Sequence, residues 1–250
     1  QSLKALDALQ AAGCVRFFFK YCSTFDSTDA GNIGPVGDAL LDALDAKQAI
    51  YNPAFPENGR TIFFGHLFVG DILLSDSHMR HHPLNPMTDS NLVRVLARQT
   101  KHKVGLVPLK QVQAGSAALR AALDKLAADG VRHVVVDAVA DTDLGIIGEA
   151  VGDDLLVTGG SGVALGLPAA YRRRGLLAHK ANADTLPKIA GDSAVLPSRR
   201  ASWSSAPASW PLFSSAHSPL TSASPISWWQ AARSSSSAGR APRRRGPRRR

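Results

Sequence analysis

The run Lys20-Tyr21-Cys22-Ser23-Thr24-Phe25-Asp26-Ser27-Thr28-Asp29-Ala30-Gly31-Asn32-Ile33-Gly34-Pro35 is the densest stretch of polar side chains in the sequence. It joins a cation, several hydroxyls, carboxylates and two glycines, a set suited to a polyhydroxylated anion. Lys20 can pair with a carboxylate or phosphate, Asp26 can accept from sugar hydroxyls, and Ser27, Thr28 and Asn32 can donate or accept. Gly31 and Gly34 would let backbone N–H groups come close. The same residues serve equally well as a capped turn, with Asp26, Ser27 or Thr28 capping a helix that starts near Pro35.

A second candidate is Pro53-Ala54-Phe55-Pro56-Glu57-Asn58-Gly59-Arg60-Thr61. Arg60 could fork onto a carboxylate. The plainer alternative, which carries more weight, is a hairpin turn at Asn58-Gly59 with Arg60 a solvated charge. His78, His81 and His82 gather near Asp76 and Asp89, but without a His-x3-His helix or paired cysteines. A surface loop therefore outweighs a metal site, and His66 reads as a structural histidine. Thr158-Gly159-Gly160-Ser161-Gly162 is a glycine turn into a helix start, a natural place for an anion. It lacks a P-loop lysine and is not G-x-G-x-x-G.

The elements that must carry these segments alternate. Leu3, Leu6 and Leu9 recur at helical spacing up to Gly13, and Val15–Phe19 is an apolar strand. Val36–Leu44 reads as helix and Ala49–Tyr51 as strand. Thr61–Leu74 is β-rich, a ribbon or an excursion from the main sheet. Ser90 is expected to cap a helix to about Gln99, followed by a strand at Val104–Val107 and one long helix over Val112–Ala128 ending at Asp129-Gly130. Val131–Val136 and Leu155–Thr158 are strands on either side of a helix at Thr142–Val151. Continuous apolar strands alternating with helices predict an α/β domain with a mostly parallel sheet flanked by helices. Ligands bind such sheets at the carboxyl ends of strands, where the polar segments 20–34, 52–61 and 158–162 fall.

The charge of the chain divides sharply. Lys and Arg number 29 against 20 Asp and Glu, a net +9. Residues 1–196 carry 19 of those bases and all 20 acids, whereas residues 197–250 carry 10 Arg and no Lys, Asp or Glu. That tail also holds 15 Ser, 7 Pro and all 4 Trp, with no apolar period. Arg243–Arg245 and Arg248–Arg250 could contact phosphates with Trp stacking on bases, or the tail could be solvated low-complexity sequence. Its abrupt start and its Arg, Ser, Pro, Ala, Trp and Gly content favour GC-rich coding DNA read out of frame. Nucleic acid is accordingly a disfavoured partner. Cys14 and Cys22 form neither a C-x-x-C pair nor a disulfide framework, which suits a reducing cytoplasm. No apolar run of about 18 residues predicts a membrane span. Gln1-Ser2-Leu3-Lys4 reads as mid-helix, so the chain is expected to be a fragment.

Taken in order, Lys20-Tyr-Cys-Ser-Thr-Phe-Asp-Ser-Thr, Gly31-Asn-Ile-Gly-Pro, Pro53-Ala-Phe-Pro-Glu-Asn-Gly-Arg-Thr, Gly65-His-Leu-Phe-Val, Pro86-Met-Thr-Asp-Ser-Asn-Leu and Val157-Thr-Gly-Gly-Ser-Gly closely resemble the four-carbon acid sugar kinase family. The likeness covers about residues 1–196. Asp29-Ala30 stands where threonate-type relatives have Leu-Arg, which favours the 3-oxo-tetronate branch. The resemblance implies a two-domain kinase. An acid-sugar domain is expected over residues 1–170, a linker and the first strand of a nucleotide domain over 171–196, and the shifted-frame tail over 197–250. The implied reaction moves the γ-phosphoryl of ATP, with Mg²⁺, to the 4-hydroxyl of a 3-oxo-tetronate. Lys20, Asp26, Ser27, Thr28, Asn32, Asn58, Arg60 and Asp89 are the implied substrate site, with Lys20 or Arg60 on the carboxylate and Asp26 or Asp89 on hydroxyls.

Two departures from the family follow. Its opening strand with an Ala-Asp-Asp-type motif would precede Gln1, and its Gly-Ser-Cys-Ser-like ATP turn would follow Leu196, where this chain has Pro197-Ser198-Arg199-Arg200. No catalytic base, metal ligand or ATP-site residue is assigned, and the chain is expected to lack kinase activity. The expected partner is a small four-carbon sugar acid, with a homo-oligomer left open. The competing classes are an Arg-rich nucleic-acid binder, a threonate-type kinase and a non-catalytic acid-binding module.

Overall fold

The structure is a computed structural model that describes residues 1–177; the rest of the expected linker and first strand, and the whole tail, lie outside the described residues. The elements run α1 (Ser2–Ala11), β1 (Phe17–Lys20), α2 (Ile33–Ala43), β2 (Ala49–Asn52), β3 (Arg60–Phe63), β4 (His66–Val69), β5 (Ile72–Leu73), α3 (Leu92–Ala97), β6 (Lys103–Val107), α4 (Leu109–Gln113), α5 (Ser116–Ala128), β7 (Val131–Val136), α6 (Asp141–Val151), β8 (Leu156–Gly159) and α7 (Ser161–Arg173).

Five strands form one sheet in the order β1-β8-β2-β7-β6, and every pairing is parallel. Parallel neighbours need crossovers, so helices cover both faces. That is why Val134–Val136 and Leu156–Val157 are uninterrupted apolar runs with almost no exposure. Helices bury matching stripes: Ile33, Leu40 and Leu41 in α2, Leu119 and Leu123 in α5, Leu144, Ile147 and Val151 in α6. Each such side chain contributes about 1.5–3 kcal/mol over leaving it in water. α6 and α7 meet backbone to backbone. A Cβ built on Gly166 would lie 2.1 Å from the Leu144 carbonyl oxygen, and one on Gly148 2.4 Å from the Gly166 carbonyl carbon.

The β-rich stretch is an excursion: β3-β4-β5 form a separate antiparallel sheet. Asp137, directly after β7, fastens it to the body. Its fully buried carboxylate accepts from Phe64 N (2.7 Å), Gly65 N (2.9 Å) and Leu109 N (3.0 Å). Burial raises its pKa, and the three backbone donors pull the other way.

A second buried polar cluster crosses the face of the sheet under α2. His133 is fully buried, with Nε2 2.7 Å from Asp38 Oδ1 and Nδ1 2.9 Å from Tyr51 Oη. An ionised carboxylate only accepts, so Nε2 carries the proton and the Tyr51 hydroxyl donates to Nδ1. Thr100 Oγ1 donates to the same carboxylate at 2.9 Å. Burial holds the His133 pKa below the ordinary value despite Asp38, so the ring is neutral. Gly37 makes room for this arrangement, because a Cβ there would sit 2.0 Å from Tyr51 Oη.

Four local expectations are corrected. The long helix over 112–128 is two helices, broken where Gly115 takes φ +105°. The cap of α3 is Asn91, whose side chain accepts from Arg94 N, while Ser90 Oγ bonds to Ser75 instead. The N-cap of α2 is Asn32, without a side-chain bond, so Asp26, Ser27 and Thr28 cap nothing. Arg172 and Arg173, expected to open a linker, are the last turn of α7, and the Arg173 guanidinium pairs with Glu149 on α6.

Candidate functional site

The carboxyl edge of the sheet forms a shelf. Lys20 on β1, Gly159 on β8 and Asn52 on β2 stand at one register level across three adjacent strands. Lys20 is exposed and has no ion-pair partner among the described residues. Beneath the shelf, Thr158 Oγ1 donates to Ile50 O (2.7 Å) and pairs with Tyr21 Oη (3.1 Å). Burial pushes the Tyr21 hydroxyl well above its usual pKa, so it is a neutral support. Asn52 is fully buried; its Nδ2 donates to Val136 O (2.8 Å), and its Oδ1 has no partner.

The polar run follows β1 into a strained bend. Phe25 and Asp26 both adopt left-handed backbone, at φ 62° and 45°. For side chains other than glycine this costs roughly 1–2 kcal/mol per residue. Phe25 offsets the strain by full burial and an edge-on contact with Tyr21, centroids 5.4 Å apart. The bend sets Asp26 Oδ1 3.8 Å from His82 Nδ1. That nitrogen already accepts from Asn85 N (3.1 Å), so the approach is not a hydrogen bond. Asp26 Oδ1 is left buried and without a partner. It is an acceptor in need of a donor, which is what a hydroxylated ligand supplies.

The next residues are held from across the fold. Gln99, just past α3, donates from Nε2 to Ser27 Oγ (2.9 Å) and Thr28 O (2.6 Å), and its Oε1 accepts from Gly34 N (2.9 Å). Ser27 is buried, while Asn32 is exposed and its side chain makes no hydrogen bond among the described residues. The glycines serve the same contact. A Cβ on Gly31 would lie 1.8 Å from Ser27 Oγ and 2.9 Å from Gln99 Nε2, and one on Gly34 2.7 Å from Gln99 Cβ.

Asp89 is in a different state from Asp26. Arg94 grips it at 2.7 and 2.6 Å, Arg98 Nη1 reaches it at 3.3 Å, and Asn91 N donates at 2.9 Å. The Arg94 hydrogen bond leads in holding its pKa below the usual carboxylate value. With both oxygens engaged, Asp89 acts through its arginines. Arg98 also bonds Asp29 Oδ1 (3.2 Å), so it ties the 86–91 segment to the polar run.

The second candidate segment is a tight turn. Phe55 and Arg60 pair around a 3-10 turn at Pro56–Asn58, closed by Gly59 at φ +65°. Asn58 is exposed, and its carbonyl accepts from the Arg60 guanidinium, whose Nε is buried without a partner. No bond joins Asn58 or Arg60 to the Asp26 segment; they share the carboxyl edge of the sheet with it. The glycines of the 159–162 turn also have a packing reason. A Cβ on Gly159, Gly160 or Gly162 would lie within 3 Å of the Asn52, Pro53 or Ala54 carbonyl oxygen. No group of three or more His, Cys, Asp or Glu able to hold a metal exists among the described residues, and none of their helices is long and apolar enough to cross a membrane.

His82 falls in a cluster whose plainer expectation is a solvated loop, and Asn52, Arg94, Arg98, Gln99 and Asp137 are not among the residues expected to form the site. The one local signal was position: Asn52 and Asp137 are polar residues at the carboxyl ends of buried strands. The contacts of Gln99 span 65–72 positions and leave no short-range trace.

The carboxyl edge of this parallel α/β sheet thus carries a lysine without an ion-pair partner among the described residues, a strained aspartate with one unpartnered oxygen and a clamped hydroxyl loop. The chain belongs to the family described as sugar-binding N-terminal domain, which it matches over residues 1–167. It is similar to the 3-oxo-tetronate kinase of Burkholderia multivorans, 60% identical over 196 residues, covering 78% of this chain and 46% of the relative. The Escherichia coli enzyme of the same name is 53% identical over 167 residues, 67% of this chain and 43% of the relative. The chain thus spans less than half the length of these curated relatives. Among solved structures, a DUF1537-family protein of Haemophilus influenzae is 51% identical with a TM-score of 0.67, over 71% of this chain and 42% of that one. A DUF1537 protein of Bordetella bronchiseptica, a domain-swapped dimer with bound citrate, is 26% identical with a TM-score of 0.51, over 66% of this chain and 39% of that one.

Proposed function

We propose that this chain contains the acid-binding part of an ATP-dependent kinase acting on the 4-hydroxyl of a 3-oxo-tetronate, with residues 1–170 as the acid-sugar domain. The observation that carries this reading is Asp26 Oδ1, a buried carboxylate oxygen without a partner, at the carboxyl edge that also bears exposed Lys20. In the proposed complex Lys20 or Arg60 pairs with the substrate carboxylate, Asp26 accepts from a hydroxyl, and Thr28, Asn32 and Asn58 supply flanking hydrogen bonds. Ser27 and Asp89 act indirectly, Ser27 through Gln99 and Asp89 through Arg94 and Arg98. The shared name of the relatives supports this, and citrate on the Bordetella bronchiseptica protein is itself a hydroxy acid.

ATP and Mg²⁺ belong to the proposed reaction, but the residues of 1–177 do not fit either. Among the described residues there is no metal-ligand cluster, and the glycine turn at 159–162 is filled by the 52–54 backbone. This part of the chain accounts for binding and orienting the acid, and no step of phosphoryl transfer is derived from it. The further assignments are a linker and first nucleotide-domain strand between the end of α7 and residue 196, a shifted-frame tail at 197–250, a cytoplasmic location and a homo-oligomer. The domain-swapped Bordetella bronchiseptica dimers support the last of these.

Calorimetric titration of the 250-residue chain with 3-oxo-tetronate, erythronate and threonate tests the reading. The expected order places 3-oxo-tetronate above threonate, with Asp26→Asn at least roughly tenfold weaker, the scale of one charge-assisted hydrogen bond. Tighter binding of threonate would favour the threonate-type enzyme. No binding of any four-carbon acid by the folded chain would refute the site.

A further inference from the structure

Resting on the acid-site reading, we infer that Gln99 is a positioning residue for the substrate loop: its side-chain amide clamps residues 27–34 so that Asp26 and Thr28 are presented in binding geometry. Gln99 is 8% exposed and belongs to neither candidate segment. Its amide makes three bonds, each to a different residue of the loop. They fix its orientation, because a flipped amide would set its NH₂ against Gly34 N–H and its oxygen against the Thr28 carbonyl.

The clamp also explains a motif that ligand binding does not need. Gly31 and Gly34 were expected to bring backbone N–H groups up to a ligand. Instead, both lie where any side chain would collide with Ser27 or Gln99. The glycines of Gly31-Asn32-Ile33-Gly34 are therefore half of a lock whose other half stands 65 residues downstream.

The lock is placed to act on Asp26. Ser27 directly follows it, and the left-handed backbone of Phe25 and Asp26 is a conformation that persists only where neighbouring contacts hold it. Buried Phe25 anchors the strained pair on one side. Gln99, through Ser27 and Thr28, anchors it on the other. Release of the amide frees the downstream side, and Asp26 can then relax out of the orientation that leaves Oδ1 waiting for a donor. Gln99 acts without touching the ligand.

The test titrates 3-oxo-tetronate and erythronate into the 250-residue chain as wild type, Gln99→Leu, Gln99→Glu and Leu123→Ala, with melting temperatures and hydrogen exchange of residues 25–34 measured in parallel. Gln99→Leu removes donors and acceptor. Gln99→Glu keeps the acceptor for Gly34 N–H but sets carboxylate oxygen against the Thr28 carbonyl. Leu123→Ala is a core truncation on α5 that lowers stability without touching the loop. The expected result is affinity about tenfold weaker or worse in both Gln99 variants, faster exchange confined to 25–34, and affinity unchanged in Leu123→Ala. Wild-type affinity in Gln99→Leu overturns the inference, as does an equal loss in Leu123→Ala, since affinity would then only follow stability. If wild type binds no erythronate or 3-oxo-tetronate, the acid-site reading fails and this inference falls with it.

Discussion

Two polar clusters sit on the same sheet and face opposite fates. The Tyr51-His133-Asp38-Thr100 cluster holds residues from which catalytic sites are often built, yet each ring nitrogen of its histidine has a partner in hydrogen-bonding range. The segment after β1 holds an ordinary aspartate on a strained backbone, with one oxygen buried and unpartnered. The first cluster is finished by the fold and reads as structure. The second is left incomplete at some cost and reads as a site. Residue type alone would have ranked them the other way.

The largest expected effect falls on the finished cluster. Asp38→Ala strands His133 Nε2–H in a fully buried position, and a cost of about 3 kcal/mol is expected, measured by urea unfolding, with acid affinity unchanged. Affinity lost as steeply as stability would merge the two clusters into one functional unit.

Acid should act on the same cluster. The His133 pKa is lower in the folded state than in the unfolded chain, so below the ordinary histidine value the unfolded chain binds the extra proton. Stability is then full above about pH 6.5 and falls as pH drops from there toward the folded-state value, by at most about 1.4 kcal/mol per pH unit. Asp38, His102 and Arg132 act on the ring by charge, and the Tyr51 hydroxyl bonds to it. Melting temperatures from pH 7.5 to 5.0 check this, and His133→Gln should flatten the dependence.

The strained segment should respond with the opposite sign. Asp26→Gly removes the left-handed penalty at φ 45°, so stability should hold or rise by up to about 1 kcal/mol while acid binding is lost. A clear fall in melting temperature would mean that Asp26 belongs with the finished residues. The smallest effect is expected from Arg98→Ala, whose pairs with Asp29 and Asp89 involve a half-exposed guanidinium. Stability should change by less than about 1 kcal/mol, with a weaker acid affinity as the sign that joining the two segments matters.

What could be read in the sequence follows from range. Val131–Val136 and Leu155–Thr158 declared a covered parallel sheet through apolar continuity alone, and the helices declared themselves through their stripes. Misreadings arose where one backbone angle decides, as at Gly115, or where two neighbours compete for one cap, as at Ser90 and Asn91. Lys20 and Asp26 stood out because strand, loop and chemistry coincide within a few residues. The supports of this loop, Gln99 and Arg98, are brought in by the fold from 65–72 positions away. A glycine pair looks the same in sequence whether it makes room for a ligand or for a glutamine.

The contact between α6 and α7 bears on how this protein can vary. Where Gly148 and Gly166 meet, only hydrogen fits on either backbone, so neither position can drift without pushing two helices apart. α7 starts at Ser161, beside the 52–55 segment, and ends in an arginine paired with Glu149 of α6. Substitutions at either glycine should therefore surface as second-site changes along this seam, far from any residue that touches a ligand. A library selected for function should keep glycine at both positions, one in each helix.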